Sequence, residues 1–159
     1  MFLSANNFYW RIDIRQNVMH RIEHWRALGR PEAALLGVQY IGYDDGTRRG
    51  PWLVSRSAAR SWIFDGVRLG KGNTFSNAGI EIDATAPSSP RGTQILASIP
   101  NLFGPGMTAN MSYYETPRGA KVFSAGAFTL AGAIRQPAVQ RLVENLWVRL
   151  AAGSDGRQG

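Results

Sequence analysis

Apolar and polar residues alternate with a period of two over much of the chain, and this alternation predicts short β-strands. The alternation is clearest in residues 8–14, and we also expect strands at 38–43, 94–99, 110–115 and 121–124. The last two segments are joined by Thr116-Pro117-Arg118-Gly119, a typical hairpin turn. Residues 2–5 have the composition of a buried strand end. The chain is therefore expected to be built around a sheet.

Residues 18–25 fit two structures. Val18, Ile22 and Trp25 have helical spacing, whereas positions 18, 20, 22 and 24 would share one face of a strand. We favour the strand, because the neighbouring segment also alternates.

Two segments carry helix signals. Residues 29–37 combine Pro31 at a first turn, an early Glu32 and a closing Gly37, which predicts a short helix. Residues 137–151 place apolar side chains on one face and charged ones on the other, which predicts an amphipathic helix. Between them, residues 44–93 contain many Gly and Pro residues, so we expect a loop-rich insertion with short strands around 62–64 and 80–83.

The composition indicates a soluble globular protein. With 159 residues, 44% of them hydrophobic, the chain is long enough for one core, and we expect one domain over 1–152 and a disordered polar tail over 153–159. The chain has no cysteine, which excludes disulfides and thiolate sites and suits the reducing cytoplasm. No apolar run approaches the ~18 residues of a membrane span, and the first segment lacks the basic region of a signal peptide. We expect a cytoplasmic protein with no membrane contact.

The charge balance is strongly basic but dispersed. The net charge is +7, and nearly all the basic residues are arginine, the exceptions being Lys71 and Lys121. Apart from the Arg48–Arg49 pair, the arginines stand singly along the chain. A nucleic-acid surface needs several convergent charges. We therefore expect no nucleic-acid partner.

His20-Arg21-Ile22-Glu23-His24 matches the H-x-x-E-H pattern of inverted zinc peptidases. Zinc binding would require a helix, which brings the two His within reach of one ion, and a third ligand from elsewhere. On a strand, His20 and His24 would share a face about 13 Å apart, too far for a common metal. We therefore expect no metal site in this segment.

Two carboxylates occur in the segment Ile80-Glu81-Ile82-Asp83. On a strand, Glu81 and Asp83 would point to the same face about 7 Å apart, where neighbouring charges separate the pKa values of two acids. The pair could then divide acid and base roles. The alternatives are a solvated strand face, or an Asp that accepts hydrogen bonds in a turn.

Asn6 and Asn7 follow the first apolar residues directly. Polar groups at strand ends often belong to the active sites of α/β proteins. The amide of Asn6 could orient an amide substrate or a tetrahedral oxyanion, or it could cap a turn.

Several segments taken together resemble a known family. FLSANNFYWRI, WRALGRPEAALLGVQY, AGIEIDAT, and MSYYETPRGAKVFSAGAFTLAGA followed by VQRLVENLWVRL are similar, in this order, to the end of the N,N-dimethylformamidase large-subunit-like C-terminal domain. The resemblance covers nearly all of residues 2–151. It implies an α/β fold, the C-terminal part of a glutamine-amidotransferase-like three-layer α/β domain with an inserted loop-rich β region.

The resemblance also implies a function, hydrolysis of the C–N bond of small amides at a mononuclear iron held by Tyr and carboxylate side chains. The metal-binding part of the family domain would precede this chain, so we expect an N-terminally truncated domain with no cofactor of its own. By this resemblance, Asn6 matches a strand-end Asn that either orients the substrate or supports the residues that contact it, and Glu81 is a weaker match to an acidic residue near that pocket. His20 and His24 do not belong to the family pattern.

Two interpretations of different class remain open. The chain is either a piece of an amidohydrolase-like protein, inactive alone and completed by a partner chain, or a noncatalytic structural or interaction domain. In both, an exposed sheet edge would favour association with a partner or a second copy.

Overall fold

The computed structural model describes residues 1–152, whose nine strands lie in two sheets. The predicted disordered tail, 153–159, lies outside the described residues. The strands are β1 (Trp10–Arg15), β2 (Val18–His24), β3 (Gln39–Tyr43), β4 (Arg49–Val54), β5 (Thr74–Ala84), β6 (Gln94–Ile99), β7 (Ala109–Glu115), β8 (Lys121–Ser124) and β9 (Ala127–Phe128). The α-helices are α1 (Ala33–Leu36) and α2 (Pro137–Ala151), and short 3₁₀ helices span Ala58–Arg60, Trp62–Phe64 and Ala131–Ala133.

The larger sheet has seven strands in the order β3-β5-β4-β6-β7-β8, with β9 paired to β5. Every pairing between its named strands is antiparallel. Strand β5, eleven residues long, lies second from the β3 edge and pairs with three strands, β3, β4 and β9. An isolated parallel bridge joins Phe2 to Ser124 at the end of β8.

Successive side chains on each strand point to opposite faces of this sheet, and both faces are covered by other parts of the chain. Met111 and Tyr113 on β7 belong to the main core, which α2 closes with Val139, Leu142 and Leu146. Ser112 and Tyr114, on the opposite face, lie against α1: Tyr114 donates a hydrogen bond to the Leu35 carbonyl. In the same region, Ser124 Oγ donates to the Leu36 carbonyl at 2.7 Å. The N-terminal and C-terminal helices thus cover different faces.

Strands β1 and β2 form a separate two-stranded hairpin. Most of its side chains are exposed. A β-bulge at Arg11/Ile12 interrupts its register.

The predicted secondary structure is confirmed in most of the chain. The strand predicted at 18–25 is present as Val18–His24, and the helix over 137–151 is present. The helix predicted over 29–37 is shorter in the structure, Ala33–Leu36, with Gly37 as its C-cap. The prediction of a short strand at 62–64 was wrong, since those residues form a 3₁₀ helix. The segment 44–93 is less irregular than expected, because β4 and the long β5 run through it.

The fold class is a mixed α/β domain, dominated by antiparallel sheet with few helices. The finer glutamine-amidotransferase-like assignment stays a prediction. In residues 1–152, no helix combines the length and apolarity that a membrane crossing requires.

Candidate functional site

Asp83 is a buried carboxylic acid near the end of strand β5. Asp83 is only 1% exposed, and the side chain of its neighbour Ile82 points into the core on the other face of the sheet. The Asp83 amide donates to the Gly126 carbonyl at 2.9 Å, which fixes the strand against β9. Removing a carboxyl group from water costs free energy unless polar groups compensate for it. The groups that contact Asp83 therefore indicate its role.

One of those partners is Asn6. The backbone N–H of Asn6 donates to Asp83 Oδ1 at 2.9 Å. Asn6 has a left-handed backbone with φ of 56°, a conformation that Asn tolerates better than most residues. The structure therefore brings the predicted residue Asn6 to an acid far away in sequence.

Two oxygens at this contact have no hydrogen-bond partner among the described residues. They are Asn6 Oδ1 and Asp83 Oδ2, and both are buried. Unsatisfied buried polar atoms are rare in native structures and often mark a functional or ligand-binding position. A protonated Asp83 could donate a hydrogen bond there, and an ionised Asp83 could accept one.

The environment raises the pKa of Asp83 to about 7. Burial is the main cause, because it disfavours the ionised form, and the negative charges of Glu32 and Glu81 add to the rise. The hydrogen bond from Asn6 and the positive charge of Arg26 act in the opposite direction. Asp83 is therefore poised between its acid and base forms near neutral pH.

Glu32 and Arg26 form an ion pair beside Asp83. Glu32 is 3% exposed, and Arg26 Nη2 lies 2.7 Å from its Oε1, with Arg26 Nε at 3.2 Å from Oε2. Arg26 Nη2 also donates to the Tyr40 carbonyl at 2.9 Å. This forked contact neutralises one buried carboxylate and links the loop after β2 to strand β3.

An aromatic cluster closes the same region. Tyr40 lies opposite Asp83 in the β3–β5 register, and its ring centroid is 5.0 Å from that of Tyr9. The Arg26 guanidinium lies over the Tyr9 ring at 5.2 Å. Burial raises the pKa of the Tyr40 phenol, and the nearby Glu81 carboxylate raises it further.

Glu81, the second residue singled out in the sequence, is half-buried opposite Tyr43 in the β3–β5 register. Its negative charge adds to the effect of burial in raising the pKa of Asp83 and of Tyr40. The two acids of the segment are thus unequal, with Asp83 the more buried. A catalytic role of Asn6 and Glu81 stays a prediction.

His20 and His24 lie on strand β2, which places the H-x-x-E-H segment outside the helical geometry of zinc peptidases. His20 is opposite Asp13 and His24 is opposite Trp10. Because Asp13 and Trp10 are three residues apart on one strand, the two His point to opposite faces. The expectation of a shared face was wrong, since the bulge shifts the register. His24 stacks on Tyr9 with ring centroids 4.3 Å apart.

His, Cys, Asp and Glu side chains form no cluster of three in the part of the chain that the structure describes. Of the two buried carboxylates, Glu32 is already engaged by Arg26.

A cavity of about 460 Å³ opens next to this cluster. It is lined mainly by apolar side chains, and Glu32 is in its wall. Lining residues include Phe8, Trp25, Pro31, Glu32 and Leu35. Its volume is in the range of small-molecule sites.

Sequence reasoning missed Arg26, Glu32 and Tyr40 as members of this cluster. Glu32 was interpreted only as an acidic residue in the first turn of a helix, and its six-residue spacing from Arg26 matches no motif. The sequence offered one weak signal that Glu32 is buried. It directly precedes the apolar residues Ala33–Leu36, which form α1 and are partly buried. Only the fold brings these groups to Asp83.

Comparison with known proteins gives one family assignment. The family model described as N,N-dimethylformamidase beta subunit-like, C-terminal, matches residues 1–141. No curated protein matches the chain. The resemblance predicted from the sequence is thereby confirmed over most of the chain.

Proposed function

The chain belongs to the N,N-dimethylformamidase beta subunit-like, C-terminal family, and on that ground we propose that it forms one wall of a site for the hydrolysis of small amides. The observation that carries the proposal is the contact of Asn6 with Asp83, a buried acid with a pKa raised to about 7. Hydrolysis of a C–N bond needs a group that accepts a proton from water and returns one to the amine. An acid that titrates near neutrality is suited to both.

Asn6 would orient the substrate in this proposal. Its buried Oδ1 has no partner among residues 1–152, so it is free to accept a hydrogen bond. Its side-chain amide could donate to the oxygen on which negative charge develops. Glu81 would act through its charge, by holding the pKa of Asp83 high.

The apolar cavity beside Glu32 supports the choice of substrate class. Small N-substituted amides carry alkyl groups and one polar amide, which fits an apolar cavity of about 460 Å³ with few polar groups in its wall. Asp83 is not among the lining residues, so we propose that groups from outside residues 1–152 complete the connection between cavity and acid. The iron implied for the complete family domain would take its ligands from there as well.

We also propose that residues 1–152 form part of a glutamine-amidotransferase-like domain in the cytoplasm. The family resemblance supports this proposal, and the isolated parallel bridge between Phe2 and Ser124 marks where a parallel strand could lie beside β8. An experimental structure of the complete assembly would show a parallel strand beside β8. An isolated antiparallel sheet in that structure would contradict the assignment.

The test is an activity assay on the chain coexpressed with the protein encoded next to it. N,N-dimethylformamide is the substrate, released dimethylamine and formate are measured, and iron content is determined in parallel. We expect turnover in the coexpressed assembly and little in the chain alone. Asp83→Asn should lower the rate at least ~10-fold and remove an inflection near pH 7 from the pH profile. The control Asp65→Asn, at an exposed carboxylate, should leave both unchanged.

The alternative function is that of a noncatalytic interaction domain. The observation that favours it is the exposure of large apolar side chains on the β1–β2 hairpin, Ile14 and Met19 both being 69% exposed. If the coexpressed assembly forms but contains no metal and releases no amine from small amides, the enzymatic proposal fails and this alternative stands.

A further inference from the structure

Strand β1 has a free edge. Within residues 1–152 its pairing partner is β2, and the small sheet ends there on both sides. A free edge presents unpaired backbone N–H and C=O groups that readily pair with another strand. A lone two-stranded hairpin is also marginally stable in water, and additional strands stabilise it.

The sequence of β1 is self-complementary. We propose that β1 pairs antiparallel with β1 of a second copy of this chain, with the two-fold axis at Ile12. In that register Ile12 faces its own counterpart, Arg11 faces Asp13 of the second copy, and Trp10 faces Ile14 of the second copy. By symmetry, each of the last two pairs occurs twice.

Charge complementarity selects the second copy as the occupant. Arg11 and Asp13 lie on one face of the strand, and the pairing creates two cross-strand ion pairs. Asp13 already contacts Arg15 of its own chain at 2.9 Å, in an exposed pair that leaves its carboxylate accessible. The middle residue of β2 is Arg21, so the equivalent pairing about the centre of β2 would place like charges opposite each other.

The same pairing would bury part of the exposed apolar face of the hairpin. Ile12 is 50% exposed, and Ile14 and Met19 are 69% exposed, on the face that also carries Trp10. Cross-strand neighbours have Cβ atoms about 4.5–5.5 Å apart, so Trp10 would pack on Ile14 of the second copy. The two hairpins would form one four-stranded sheet with a continuous apolar strip.

Cysteine cross-linking tests the register, because the chain has no cysteine of its own. Ile12→Cys puts the two thiols directly opposite, at a Cα separation that a disulfide can bridge. Ile14→Cys is the matched control, since the same register places its two copies about 13 Å apart. We expect a covalent dimer of the Ile12→Cys protein under mild oxidation and none of the Ile14→Cys protein. A monomeric Ile12→Cys protein, or equal cross-linking of both, would overturn the proposal.

Charge exchange tests the complementarity independently. Analytical ultracentrifugation on the full chain, at a concentration on the order of 100 µM to populate a small interface, should show a dimer. Arg11→Asp and Asp13→Arg should each lose it, whereas an equimolar mixture of the two variants, or the double variant, should recover it. Recovery also shows that the single variants are folded. A wild-type monomer, or dimers in both single variants, would refute the pairing.

Discussion

Asn6 and Asp83, 77 positions apart in the sequence, are joined by a hydrogen bond of 2.9 Å from the Asn6 amide nitrogen to Asp83 Oδ1. The contact ties the beginning of the chain to strand β5 of the larger sheet. It also supplies only part of what a buried carboxyl group requires, since Asp83 Oδ2 has no partner in the part of the chain described. A buried oxygen without a hydrogen-bond partner costs free energy, so the environment of Asp83 points to a functional role.

The first prediction concerns the pH dependence of stability. The pKa of Asp83 is about 7 in the folded state, against an ordinary value of 3.8 in the unfolded chain. Between these values the folded state binds more protons, so the Asp83 contribution to stability is fully present below pH ~4 and is lost as the pH rises to about 7. Asp83→Asn removes this dependence. Urea unfolding at pH 4.5 and 8 should show the variant gaining stability relative to wild type at pH 8, on the order of 4 kcal/mol. A pH-independent difference would contradict the assigned pKa.

The second prediction concerns Gly126, whose carbonyl accepts the Asp83 N–H. Its φ is 70°, and a Cβ there would overlap the Asn110 carbonyl oxygen. Gly126→Ala should therefore cost more than about 3 kcal/mol of unfolding free energy or prevent folding. The control Gly92→Ala has a similar φ of 85° but open space around the Cβ, and should cost only about 1 kcal/mol. Equal losses measured by thermal unfolding would show that steric contact is not the cause.

The third prediction concerns the ion pair of Arg26 with Glu32. Arg26→Met leaves a carboxylate that is 3% exposed without its cation, which should cost on the order of 3–5 kcal/mol at pH 7. Arg15→Met removes the exposed partner of Asp13 and should change stability by less than about 1 kcal/mol. Chemical denaturation of both variants gives the comparison. A small loss in Arg26→Met would mean that Glu32 reaches solvent.

The fourth prediction separates the backbone role of Asn6 from the role of its side chain. Asn6→Gly preserves the left-handed backbone and should keep stability within about 0.5 kcal/mol, whereas Asn6→Ala should lose about 1 kcal/mol. Both variants lack the side-chain amide, so both should lose amide hydrolysis in the coexpressed assembly. Activity that follows stability instead would identify Asn6 as a purely structural residue.

Helices and strands whose apolar residues recur with a clear period were predictable from the sequence. Helix α2 has the predicted bounds, Pro137–Ala151, because its apolar stripe and N-terminal Pro are local signals. Strand β4 was missed because it contains Gly50 and Pro51, which normally interrupt strands. In the structure Pro51 is exposed beside a register irregularity, and a Cβ at Gly50 would crowd Ile99. Gly79 on β5 likewise allows close approach of the Arg48 carbonyl.

The candidate site was predictable only in part, for a different physical reason. Asn6 and the Glu81/Asp83 segment stood out through their residue types. Asp83 lies opposite Tyr40 beside a register irregularity between β3 and β5, and Arg26 binds Glu32 nearby. Neither feature leaves a periodic signal in the sequence. Contacts between residues far apart in sequence decide the electrostatics, and a single sequence does not encode them in any local pattern.

The most direct test of the central claim is an NMR titration of the Asp83 side-chain carboxyl carbon, assigned by comparison with Asp83→Asn. The structure predicts a midpoint near pH 7, because burial and the charges of Glu32 and Glu81 outweigh the hydrogen bond from Asn6. A midpoint near the ordinary value of 3.8 would contradict a buried acid poised for proton transfer, and with it the proposed site.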